Sequence, residues 1–447
     1  MKKSYAYSIV VVLFVTAIGF IITRGNRNEK KKTASSYTLQ PRKKADSSEE
    51  WNNIRNRALA LQQAIRNNPG DSKSILALTS IFLQEARITG NYMYYDMAAL
   101  HHVNTILQDD SLNFEALTFK ALILLSQHHF ADGLLVAKKA RQINPYNAFV
   151  YGILIDANVE MGNYGEAIEN ADKMVSIRPD IRSYSRIAYL REIHGDYAGA
   201  IEAMKLAVNA GAPGDETTAW CRVQLGKLYE ITGDHRSAEM LYRSTLEERP
   251  SYAYALGGLA RIAISNKDFT KAISLYTEAD SYMIGYQFRE ELATAYKLAG
   301  QTDKSTAIEK EVIDGMIIDS KSGQEDENIG HYADLELSYG YLKSGNTDKA
   351  LYHVLQEYNR RPNNIDVNEA LAWVYYNTGQ YAKALPYLKT ALQTNSKNPR
   401  LLCRAGLIYA KSGEIAVAKP LLTEGLKVPT ALEETLKTAS TQLLKTF

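Results

Sequence analysis

Short amphipathic segments recur along the chain in pairs, and a turn separates the two members of each pair. Residues 372–392 are typical, because apolar residues recur with helical spacing on both sides of Gly379. Each half predicts a helix that is too short to be stable alone in water. Glycine suits the reversal between them because it tolerates a positive φ. The apolar faces of such a pair need neighbouring pairs to bury them.

The same turn recurs ten times along the chain. Successive turns are about 34 residues apart, and the interval from Gly300 to Gly345 is the longest. The turn positions are Gly90, His128, Gly162, Gly195, Gly233, Lys267, Gly300, Gly345, Gly379 and Gly413. Self-similarity at such a regular period predicts an array of stacked repeats rather than several separate domains.

Each repeat carries small and aromatic residues at fixed distances from its turn. The best example is residues 219–250, where Gly226 and Tyr229 precede the turn at Gly233, and Ala238 and Tyr242 follow it. Small residues let paired helices approach closely, and large aromatic residues fill the space toward the next pair. A proline about 17 residues after the turn, such as Pro250, ends the second helix.

This pattern resembles the tetratricopeptide repeat (TPR) over about residues 51–429. The resemblance implies an all-α, right-handed α-solenoid of about ten helix-turn-helix repeats, in which the first helix of each repeat lines a concave face. Gly133 and Ser305 stand where a small alanine is usual, and Lys267 replaces the turn glycine. These departures affect single repeats and leave the array intact.

The chain divides into six predicted segments. Residues 1–23 contain about 20 residues without a charge, enough for a transmembrane signal-anchor helix. Residues 24–50 hold eight Lys or Arg and four Asp or Glu, which favours a basic flexible linker. A first TPR array follows at residues 51–313, and an acidic loop insertion at residues 314–330 separates it from a second TPR array at residues 331–429. A C-terminal capping helix is predicted at residues 430–447.

The uncharged N-terminal stretch predicts a single-pass membrane protein that contacts the membrane through residues 4–23. A cleaved signal peptide is the alternative, although a poor cleavage site follows the stretch. A lysine-led span near the start of the chain favours repeats on the extracytoplasmic side. The basic residues after the span favour the opposite orientation by the positive-inside rule.

Composition and motifs exclude several classes of function. The net charge is only +2 over 447 residues, so no basic face for a nucleic-acid partner is expected. Phosphate-binding, hydrolase and metalloprotease motifs are absent from the sequence. Neighbouring residues on a helix point about 100° apart, so the pairs His101–His102 and His128–His129 do not make ready chelates. We expect no enzyme activity, no cofactor and no metal.

The predicted site is the concave groove, with a protein or peptide partner. Aromatic residues mixed with arginine have the composition of binding hot spots. Arg182, Arg186, Lys227 and Arg261 fall in neighbouring repeats and predict a site for an acidic peptide or carboxylate. The alternative is a cell-envelope polysaccharide or glycan bound by the aromatic residues. The full candidate set is Arg182, Arg186, Tyr189, Trp220, Lys227, Tyr254, Arg261, Tyr332, Tyr339, Trp373 and Tyr376.

Overall fold

The computed structural model describes residues 37–44, 48–325 and 331–447. Within these ranges the chain forms twenty-two α-helices and one short 3₁₀ helix, and no strand. The α-helices are α1 (Glu49–Asn67), α2 (Ser72–Thr89), α3 (Tyr92–Asp109), α4 (Phe114–Ser126), α5 (Phe130–Ile143), α6 (Ala148–Met161), α7 (Tyr164–Ile177), α8 (Ile181–Ile193), α9 (Tyr197–Asn209), α10 (Glu216–Ile231), α11 (His235–Glu248), α12 (Ala253–Ser265), α13 (Phe269–Tyr282), α14 (Gln287–Leu298), α15 (Thr302–Glu325), α16 (Asp334–Lys343), α17 (Thr347–Arg360), α18 (Ile365–Asn377), α19 (Tyr381–Ala391), α20 (Pro399–Lys411), α21 (Ile415–Gly425) and α22 (Glu434–Leu444).

Ten helix pairs follow one another, from α2–α3 to α20–α21, and each pair is joined at one of the predicted turns. All ten turn residues have a positive φ. The two turns without glycine reach it at a steric cost, with φ of 62° at His128 and 61° at Lys267. The period of the sequence therefore gives both the number of the pairs and the positions of their reversals.

Tyr242 shows how small residues set the packing between pairs. Its side chain is fully buried. A Cβ atom added at Gly226 of α10 would lie 2.5 Å from the Tyr242 ring, and one at Gly258 of α12 would lie 2.6 Å from it. Both helices thus approach the same ring closely only because these two positions lack side chains.

The array coils so far that its later repeats lie on its earlier ones. The turns within the early pairs contact the connections between the later pairs. The backbone N–H of Ile284 donates to Thr89, that of Tyr332 donates to Gln127, and the side chain of Asn364 donates to Glu160. Contacts of this kind join residues 195, 201 and 204 positions apart. We call this line of contacts the seam.

The acidic segment does not form the predicted loop over most of its length. Helix α15 continues through Glu325, and residues 326–330 lie outside the described residues. The apolar side of the helix explains its extension, because Val312 and Met316 are buried with Leu337 and Tyr341. A Cβ atom at Gly315 would lie 2.3 Å from the Tyr286 hydroxyl, so the helix packs against Tyr286 only because this position lacks a side chain.

The described part of the predicted flexible linker is held against the repeats. Backbone N–H groups of Thr38 and Gln40 donate to the hydroxyls of Tyr94 and Tyr95, at 2.9 and 3.1 Å. Arg42 donates two hydrogen bonds to Glu85, whose side chain is fully buried. A buried carboxylate needs a cation, and the linker supplies it.

The predicted localisation in a membrane is contradicted. Among residues 37–44, 48–325 and 331–447, none of the helices is both long and apolar enough to cross a bilayer. The segment at residues 1–23 predicted as a signal-anchor helix, with its membrane contact at residues 4–23, lies outside the described residues.

The last helix covers the end of the array. Leu432 and Leu436 are buried against Cys403, Leu407 and Leu422. Helix α22 begins at Glu434, after a 3₁₀ turn over Pro429–Ala431, so the chain does not run as a single helix from Pro429.

Candidate partner-binding surface

The first helices of successive pairs form a continuous surface. We call it the first-helix surface; its members include α6, α8, α10, α12, α16, α18 and α20. Ion pairs join neighbouring members: Asp156 of α6 with Arg186 of α8, Glu230 of α10 with Arg261 of α12, and Glu369 of α18 with Arg404 of α20. The predicted site residues are distributed over this surface and the seam.

Two of the four predicted basic residues are already neutralised. Arg186 donates to both carboxylate oxygens of Asp156, at 2.9 and 2.6 Å, and also to the Gly152 carbonyl. Arg261 donates to both oxygens of Glu230, at 3.1 and 3.0 Å. Bidentate pairs of this kind are strong and fix both side chains. The predicted site for an acidic ligand therefore loses half of its cations.

The other two basic residues have no acidic partner within ion-pair distance among the described residues. The guanidinium carbon of Arg182 lies 5.0 Å from the centre of the Phe149 ring. Lys227 is half-buried and makes no hydrogen bond to a described residue. Burial lowers the pKa of Lys227, and repulsion from Arg261 lowers it further. Arg182 is exposed. The attraction of a ligand carboxylate would offset part of the desolvation of Lys227.

Tyr189 is the aromatic residue of the predicted set that is exposed, with 38% of its surface accessible. It lies on α8, seven residues after Arg182. Burial of its hydroxyl raises the Tyr189 pKa, and the charges of Asp366, Glu160 and Glu192 raise it further. The ring thus stands between a basic region and an acidic one.

The acidic region borders a small cleft whose lining includes Glu192, Asp366, Glu369 and Arg400. Arg400 and Arg404 approach Glu369, with N–O distances of 3.5 and 3.0 Å. The side chains of Glu192 and Asp366 accept no hydrogen bond and form no ion pair with a described residue. Burial raises the pKa of both carboxyl groups. The cleft therefore suits a cationic group.

Three predicted aromatic residues serve packing. Trp220 packs against the core between α8 and α10. Tyr254 meets Phe288 edge-on at 5.8 Å, and its hydroxyl donates to the Arg87 carbonyl. Tyr332 belongs to the seam, where it stacks on His129 at 4.2 Å.

The remaining predicted aromatics surround Arg404. Trp373 and Tyr376 stack with ring centres 4.7 Å apart and planes 7° apart. The Arg404 guanidinium lies 4.8 Å from the Trp373 ring and 5.7 Å from the Tyr339 ring. Protein groups thus already occupy the stacking positions of Trp373.

Sequence reasoning missed Glu192 and Asp366, and it also missed a group of possible metal ligands. In the described part of the chain, one set of three His, Cys or acidic residues lies close enough to share an ion: His128, His331 and Glu336, in the seam. The sequence separation between acidic residues and arginines could have indicated some of the ion pairs. In the three ion pairs between neighbouring first helices, the acid precedes the arginine by 30, 31 and 35 residues.

Two stretches of the chain are similar to a known repeat family. A family model described as "Tetratricopeptide repeat" matches residues 223–283 and 369–422. No curated protein matches the chain.

Two solved structures resemble parts of the fold. A thermophilic TPR protein from Thermus thermophilus is 20% identical, with a TM-score of 0.37; the match covers 43% of this chain and 97% of that one. PilW, a widely conserved type IV pilus biogenesis factor, is 14% identical, with a TM-score of 0.38; the match covers 45% of this chain and 93% of that one. The family model thus supports tetratricopeptide repeats at residues 223–283 and 369–422, which lie within the all-helical array of the described residues.

Proposed function

We propose that the chain is a non-enzymatic scaffold that binds a protein partner on the first-helix surface around Tyr189. The observation that supports this is an exposed aromatic ring near charged side chains that form no ion pair within the described chain. Arg182 lies on the same helix as Tyr189, and Glu192 follows three residues later. Glu192 and Lys227 are half-buried and attract each other without forming an ion pair. Half-buried charges of this kind cost free energy, and a complementary ligand recovers part of it.

The distribution of charge indicates the chemistry of the partner. Arg182 and Lys227 offer cations for a carboxylate, whereas Glu192 and Asp366 offer anions for a lysine, an arginine or an amino terminus. An extended protein segment that carries both charges fits this order better than a purely acidic peptide. The mixed signs also fit the expectation that nucleic acid is not the partner.

The glycan alternative has less support from the same surface. Sugar rings bind to open aromatic faces, but Trp373 is stacked by Tyr376 and approached by Arg404. Trp220 is partly buried in the core between α8 and α10. Tyr189 alone among these offers an open ring, and its neighbours are charged. A peptide satisfies such neighbours more readily than a neutral polysaccharide.

The proposal is tested by placing a photo-crosslinking amino acid at position 189 in the full chain. The matched control places it at Met240 of α11, an exposed residue on a second helix. After irradiation in the native host, we expect an adduct from position 189 that contains a second polypeptide and resists glycosidases. Adducts of equal yield from both positions would contradict the site. A protease-resistant, glycosidase-sensitive adduct would contradict a protein partner.

The adducted protein then serves as a purified ligand. We expect Tyr189→Ala to weaken its binding at least about fivefold, the effect of losing about 1 kcal/mol at a hot spot. Met240→Ala is the control and should leave the Kd unchanged. An unchanged Kd for Tyr189→Ala would remove this residue from the site.

A further inference from the structure

The seam brings together three metal-ligand side chains that are distant in the sequence. His128 lies in the turn between α4 and α5, His331 precedes α16, and Glu336 lies in its first turn. One ligand atom from each lies within 4.8 Å of the other two. We propose that these residues bind a zinc ion that ties an early repeat of the array to a later one.

The donor set selects the metal. Two imidazoles and one carboxylate are a common zinc set, whereas calcium and magnesium prefer oxygen ligands alone. Three protein ligands also leave one tetrahedral position for water. Zinc holds nitrogen and oxygen donors at about 2.0–2.2 Å, so tetrahedral donors lie about 3.4 Å apart. The ligand atoms, which lie within 4.8 Å of one another, would have to move closer on binding.

The His128 imidazole has the second contact that zinc ligands typically make. Its Nδ1 atom lies 3.0 Å from the carbonyl oxygen of Tyr332. A backbone carbonyl that accepts one ring N–H fixes the tautomer and leaves a lone pair on the other nitrogen. The same contact orients the His128 ring across the seam.

The buried carboxylate of Glu336 favours the binding of a cation. The Oε2 atom of Glu336 is buried and has no hydrogen-bond partner in the described chain. Its other oxygen, Oε1, lies 3.9 Å from the Nδ1 atom of His128. The His128 and His331 rings already lie in contact, with centres 4.1 Å apart.

The backbone of His128 is an independent observation. His128 has a φ of 62° at a turn position where eight of the ten repeats have glycine. A side chain in this conformation costs free energy that glycine avoids. Strain of this kind favours a role for the side chain, and the structure shows the His128 ring held between the two halves of the seam. Lys267 has the same strain at a turn whose residue is exposed, so it provides a control.

The test measures zinc binding by the purified full chain after chelation and dialysis. We expect one zinc ion per chain by calorimetry, with magnesium giving no heat. Hydrogen exchange should slow on addition of zinc at both segments, residues 126–129 and 331–336. His331→Gln should weaken zinc binding at least about 100-fold, since it removes a ligand.

Replacement of the two strained turn residues distinguishes a role of His128 as a metal ligand from a role in the fold. His128→Gly relieves the strain but also removes the contacts of the ring with Tyr332 and His331, so its expected effect is loss of the response to zinc. Lys267→Gly should raise the melting temperature, because its strain is relieved, and should keep the response. Wild-type protein that binds no zinc would overturn the proposal. Zinc binding that survives in both His331→Gln and His128→Gly would overturn it as well.

Discussion

The seam and the first-helix surface around Tyr189 use charge in opposite ways. In the seam, Arg361 is only 4% exposed and is paired with both Glu160 and Glu357. On the first-helix surface, Lys227, Glu192 and Asp366 lack such partners among the described residues. The first arrangement joins two parts of the chain that are distant in the sequence. The second leaves charges that the proposed partner would pair. Under the proposed function, stability and recognition reside on different parts of the repeats.

The largest expected effect comes from removing the cation of the seam. Arg361→Ala leaves Glu160 without its cation and weakens the pairing of the buried Glu357. We expect the free energy of unfolding to fall by about 3 kcal/mol, the scale for breaking a buried pair. Urea denaturation measures the loss, and hydrogen exchange at residues 361–365 should accelerate.

An exposed ion pair provides the control for that loss. Arg243 pairs with Glu239 on α11, and the Arg243 side chain is 55% exposed. We expect Arg243→Ala to change the free energy of unfolding by less than about 0.5 kcal/mol. Equal effects from the two substitutions would show that the seam adds no stability beyond an ordinary surface contact.

Asp96 sharpens the comparison because it is a buried acid without a cation in the described chain. Its carboxylate accepts a hydrogen bond from Ser126 at 2.6 Å, but its other oxygen has no partner. Burial raises the Asp96 pKa to about 7. This carboxyl group therefore stabilises the fold when protonated, and that contribution is lost as the pH rises from about 4 through about 7.

Asp96→Asn removes the titrating proton and keeps the shape. We expect the variant to be more stable than the wild type at pH 8, by about 2–4 kcal/mol, and to lose this advantage toward pH 4. Urea midpoints at pH 4, 6 and 8 measure the trend. A difference between the two proteins that does not depend on pH would contradict the raised pKa.

How much of the structure the sequence predicts depends on how far apart the contacting residues lie along the chain. The repeat period predicts the turns, the helix pairs and the contact of Gly226 with Tyr242, because these involve residues within one repeat. The seam forms because small rotations of each repeat relative to the previous one add up over several repeats. No local sequence pattern predicts the total rotation. Tyr332, predicted for the groove, therefore lies in the seam. His128 appeared as a turn residue and in the pair His128–His129, and its contact with His331 was missed because His331 belongs to a much later part of the chain.

The smallest expected effect on stability is at Lys227, and it tests the other side of the comparison. Lys227→Met keeps the length of the side chain and removes a cation whose pKa is lowered by burial and by Arg261. A base with a lowered pKa destabilises the fold at neutral pH, so its removal should leave stability unchanged or raise it by less than about 0.5 kcal/mol. Binding of the crosslinked partner should nevertheless weaken, and its dependence on salt should decrease, because one of the two free cations is gone. Urea denaturation and a salt series of Kd values measure the two quantities on the same protein. A marked loss of stability would show that Lys227 supports the fold, and the surface around Tyr189 would then differ less from the seam than we infer.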